Sequence, residues 1–145
     1  MTDDAKRLER GIRNCNPLNI VYARGNYWIG KYSNNTDGKF EQFLRIEFGI
    51  RAAIIILTRY AMRKEVGLYV PAIIHRWAPD GGEAEQNYIK FVTNKMAKLN
   101  MNRTRMDLKQ LVSAMALFES RYTMSDFVFE KSFNIVPLNY RKFWI

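Results

Sequence analysis

The sequence predicts a mainly α-helical domain with one small β-hairpin, an α+β fold formed as a single unit over residues 1–145. Three observations predict it. From Glu47 the run "EFGIRAAIIILTRYAMRK" is apolar nearly all the way round, as in a helix at the centre of a domain. Two later stretches set apolar residues along one side at helical spacing. Only between 26 and 44 does the chain become aromatic and β-branched around a polar turn. At 145 residues and 48% hydrophobic content, it can bury such a core without staples.

Taken in order, residues 1–9 read as a short polar N-terminal segment, free to be mobile. "RGIRNCNPLNI" (10–20) follows, poor material for a helix or a strand and suited to a rigid polar loop. "NYWIGKYSNNTDGKFEQFL" (26–44) reads as the hairpin, with Asp37-Gly38 closing its turn; Glu41-Gln42 interrupts the alternation, so a bulge is expected. The buried helix comes next. Pro71 suits the first turn of a helix over "VPAIIHRW", which "APDGG" ends. "EAEQNYIKFVTNKMAKL" aligns Tyr88, Phe91, Val92, Met96 and Leu99 on one face. Thr104 with Asp107 forms a capping arrangement opening "RMDLKQLVSAMALFES", and Ser125 caps a last helix, "DFVFEKSF".

Composition sets the context. Lys and Arg number 23 against 14 Asp and Glu, a formal +9, and 14% of residues are aromatic. Such a field draws polyanions, whether nucleic acid, an anionic membrane or a cell-wall polymer, and does not choose among them. No nucleic-acid-binding module is recognisable and the lysines fall on solvated helix faces, so nucleic acid is not the expected partner. The single Cys15 cannot form an internal disulfide and has no nearby histidine to activate it. The longest apolar run, "AAIIIL", is too short to span a bilayer, and no apolar stretch follows the charged start. The chain is therefore expected to be cytoplasmic when made, with no cofactor and no metal.

Glu119 stands out chemically. It lies near the C-terminal end of an apolar helical run, where low-dielectric neighbours and the negative helix end both disfavour ionisation. A carboxyl that keeps its proton at neutral pH can serve as a general acid. The competing reading is a residue that points to solvent at a frayed helix end, or that pairs with Arg121 or another basic residue.

"RGIRNCNPLNI", Trp28-Ile29-Gly30, "DGKFEQF", "FGIRAA" and "IIHRWAP" together resemble a family of phage virion and cell-wall-degrading proteins with a lysozyme-like fold, over roughly residues 10–122. The family's opening resembles R-G-I-R-N-N-N-P-G-N-I. Cys15 and Leu18 depart from it, and a Gly at 18 would allow a backbone conformation that strains Leu. "LVSAMALFESRY" occupies the place of the family's apolar helix ending in Glu-Asn-Gly, with Ser120 and Arg121 departing. "FESRY" is also similar to the acid-bearing element of flagellar-type glucosaminidases, where that helix precedes an Asn-rich loop. The order here is inverted, as in a circular permutation.

The resemblance implies cleavage of peptidoglycan glycan strands, by a muramidase or a lytic transglycosylase delivered by a virion, a holin or a secretion apparatus. Glu119 would be the acid. Asp37 is the candidate second carboxylate, followed by Glu41, and Glu9 is the rival acid. Asn14, Asn16, Asn19 and Gln42 would line a polar wall of the cleft, and Tyr22, Trp28 and Tyr122 would be sugar platforms. The alternative is a glycan-binding or virion-structural module that keeps the fold without the chemistry.

Overall fold

The computed structural model describes residues 1–145, which form seven helices: α1 (Asp3–Arg13), α2 (Ile46–Ala61), α3 (Val70–Trp77), α4 (Glu83–Met96), α5 (Arg105–Ser120), α6 (Asp126–Asn134) and α7 (Leu138–Arg141). Helix α2 is the axis of the fold. Ile50, Ile54 and Leu57 on it are buried, and α3, α5, α6 and α7 all pack against it. The layer α3–α4–α5 closes one side, and α1 lies on α5. Even Arg51 is drawn in, its Nε donating to the carbonyl of Ile135 beyond α6 at 3.0 Å. No helix is long and apolar enough to cross a membrane.

The helices predicted over 47–64, 71–77, 83–99 and 105–120 form, and the expected caps hold. Thr104 Oγ1 accepts from the Asp107 amide at 3.2 Å, and Ser125 Oγ accepts from that of Val128 at 3.1 Å. Leu99, expected on the core face of α4, lies beyond its end and is exposed, because the chain leaves the helix at Ala97 in a left-handed conformation.

Two expectations fail. The N-terminal segment is helical, and α1 runs through Glu9 into Arg13, so only residues from Asn14 onward form the loop. The reason is electrostatic and local. Thr2 caps the first turn, Asp3 and Asp4 sit at the positive end of the helix dipole, and Arg10 and Arg13 sit at the negative end.

The second failure is the hairpin. Residues 26–44 carry no strand ladder, only isolated antiparallel bridges that pair Val21 with Phe40 and Lys31 with Phe43. Segment 39–44 thus joins two different stretches in succession. Glu41 turns inward to Lys31 and the Ala23 amide, while Gln42 bonds Asn14 and Thr36, so the alternation a ladder needs is broken at the pair that interrupts it in sequence.

Candidate functional site

The loop Asn14–Ile20 is built by its own asparagines. Asn16 is wholly buried; its Oδ1 accepts from the Ile20 amide at 3.0 Å and its Nδ2 donates to the Ile20 and Glu41 carbonyls, holding the loop as a strand partner would. Asn14, also buried, donates to Asp37 and accepts from Gln42 Nε2 at 3.1 Å. Cys15 and Asn19 take left-handed φ values of 49° and 55°. Leu18 does not; its side chain is in the core, and the strain expected at that position is absent.

Asn19 closes the distance across the chain. Its Nδ2 donates at 3.2 Å both to the Glu119 carbonyl and to Glu119 Oε1, tying the early loop to the last turn of α5. From the other side Trp77 Nε1, at the end of α3, donates to Oε2 at 3.2 Å. The Tyr88 hydroxyl lies beside the same carboxyl, buried and without a closed hydrogen bond, its ring stacked on Phe118. Burial raises the pKa of Glu119 above the ordinary glutamate value, against the opposing donors and the nearby Arg7. A half-buried carboxyl gripped by two neutral donors is oriented and retains its proton to higher pH than a solvated one.

The other carboxylates are otherwise employed. Asp37, with a side chain 1% exposed, accepts from Arg10 Nε at 3.0 Å and Nη2 at 2.8 Å, and from Asn14 and the Phe40 amide. The Arg10 fork outweighs burial and holds its pKa well below the usual carboxylate range. Glu41 is buried against Lys31 Nζ at 2.9 Å. Glu9 is on α1, exposed and paired with Arg13 at 2.7 Å.

Three pockets that share lining residues make up a groove beside the two donors to Glu119. Asn19 and Trp77, the two donors to its carboxyl, line a pocket of about 170 Å³ with Ile56 and Tyr60. Ile56 and Tyr60 also line an adjoining pocket of about 400 Å³ reaching Trp28 and Arg59. Tyr27 and Trp28 carry it on into a third, about 390 Å³, lined by Tyr22, Arg24 and Lys31. The structure therefore places Asn19, Tyr22 and Trp28 on these pockets, whereas Glu119 lines none of them and is reached only through its donors Asn19 and Trp77. Asn14 bonds both Asp37 and Gln42, the Asn16 side chain bonds only the Ile20 and Glu41 backbone, and neither these four residues nor Tyr122 line the three pockets. Trp77, Tyr60 and Tyr88 were missed as site residues. Trp77 had a signal, its place in the "HRWAP" block, whereas Tyr60 and Tyr88 read as core aromatics.

No protein-family model matches the chain. It is similar to Protein P5 of Pseudoalteromonas phage PM2, 44% identical over 89 residues, which is 59% of this chain and 54% of that protein. The chain thus spans about half the length of the curated relative it matches, and that relative is a phage protein.

Proposed function

We propose that this protein cleaves peptidoglycan glycan strands on a lysozyme-like architecture, with Glu119 as a single general acid/base. The observation that carries the reading is the grip on the Glu119 carboxyl by Asn19 and Trp77, two residues that themselves line a groove also bearing Tyr60, Trp28 and Tyr22. A strand laid along the groove would bring a glycosidic oxygen to the protonated carboxyl. Proton transfer to that oxygen releases the leaving sugar. The carboxylate then takes a proton from a hydroxyl of the sugar that bears the anomeric carbon, as that oxygen closes on the carbon, or from a water that attacks it in the hydrolytic variant. Asp37 and Glu41 are both sealed in ion pairs, which favours the route that needs one carboxylate.

Turnover of purified sacculi is the test. Wild type should release soluble muropeptides, and Glu119→Gln should lose at least ~100-fold, the size of general-acid effects. The wild-type rate should fall on the alkaline side as Glu119 loses its proton. A wild type without turnover would leave the binding or virion-structural module as the reading.

A further inference from the structure

We propose that the arm of the groove distal to Glu119 binds the carboxylates of the peptide stems that decorate the glycan, so that the strand is held by its side chains as well as its sugars. The inference rests on the peptidoglycan reading for the identity of the ligand. Its own basis is charge. No Asp or Glu lines any of the three pockets, yet Arg24 and Arg59 do. Neither arginine has a carboxylate partner within the protein.

Lys31 differs from them: it is consumed by Glu41 and by the carbonyls of Ala23 and Asn26, each at 2.9 Å. Arg59 is presented rather than free to wander. Its Nε donates to Tyr140 Oη at 3.0 Å and its guanidinium lies 5.9 Å from the centre of the Trp28 ring, which leaves its outer nitrogens for a ligand. Arg76 adds a third unpaired cation, 6.0 Å from the Tyr60 ring. Trp28 lines two of the pockets, and its indole Nε1 is buried with no acceptor.

N-acetylated amino sugars are neutral and give guanidinium groups no charge to meet. Stem peptides carry free carboxylates, which a guanidinium fork recognises in paired, charge-assisted hydrogen bonds. Neutral sugars on the aromatic faces and carboxylates on Arg24 and Arg59 would use both chemistries of the groove.

Binding is measured by calorimetry in the Glu119→Gln protein, which holds the strand without turnover. The probes are solubilised glycan strands with intact stems, the same strands with carboxylates converted to amides, and a duplex oligonucleotide. Intact strands should bind about tenfold tighter than amidated ones. Arg24→Gln/Arg59→Gln in that background should abolish the difference while leaving the circular dichroism spectrum and Tm unchanged. Equal affinity for intact and amidated strands, or a preference that survives the double substitution, overturns the proposal. So does an oligonucleotide that outcompetes intact strands and loses its affinity in the double variant, for then the arm is a nucleic-acid site. Should the double variant melt early, Arg24→Gln alone, at an exposed residue with no protein partner, carries the test, and a preference it leaves undiminished overturns the proposal. Because binding is read without turnover, an inactive wild type would sink the catalytic reading and leave this one standing.

Discussion

Two carboxyl groups show how surroundings assign roles to one functional group. Glu119 meets neutral donors, and burial pushes its pKa up; Asp37 meets a guanidinium fork, which pulls its pKa down. The depressed group stabilises the fold at every pH above the ordinary carboxyl value, and that contribution is lost as pH falls through the lower folded pKa. Asp37→Asn should therefore cost about 2 kcal/mol at neutral pH, moderated because Arg10 remains partly solvated. The gap from wild type should close in acid, as read by urea melts across pH. A catalytic Asp37 would instead leave stability nearly intact and abolish turnover. Arg121, which ends α5 at φ 58°, shows the reverse case of a residue carrying backbone strain where glycine would carry none.

Between elements, close approach is what brings loop and acid together. Gly11 on α1 faces Ser120 on α5, where a Cβ would lie 2.6 Å from Ser120 Oγ and 2.7 Å from its Cβ. Ser120 Oγ in turn donates to the Pro17 carbonyl at 2.8 Å, so α1, the loop and α5 are locked at the residue next to Glu119. Gly49 does the same for α2, its backbone passing against the Cys15 carbonyl. Gly11→Ala should destabilise by about 1–3 kcal/mol through overpacking. It should also lower turnover more than binding, because it shifts α5 under the acid; thermal melts with kcat and KM on sacculi check both.

Across the whole molecule, the tail returns to the core. Trp144 Nε1 donates to Thr58 Oγ1 on α2 at 2.9 Å, and the Ile145 amide to the Arg103 carbonyl at 2.7 Å, closing the fold around its central helix. The net charge of +9 belongs to this scale as well. Affinity of Glu119→Gln for sacculi should weaken steadily between ~50 mM and ~500 mM salt, since screening shortens the field over that range. A pelleting assay insensitive to salt would show that the aromatic groove alone holds the polymer.

The helices of the core were legible because periodicity and capping act within a few residues: Thr104, Ser125 and the apolar run of α2 need no knowledge of what lies far along the chain. The helicity of Arg10–Arg13 was obscured by the asparagines that follow it. The hairpin was misread because strand pairing depends on distant partners, and Glu41 and Gln42 found theirs in Lys31 and Asn14. By itself the sequence determined a mainly helical, strongly basic chain and singled out Glu119 and an asparagine-rich loop. Only the tertiary structure decided that Asn19 touches Glu119 while Asn14 and Asn16 turn inward, and that Asp37 is spent on Arg10. Those outcomes are set by contacts between residues up to a hundred positions apart, which no local pattern encodes.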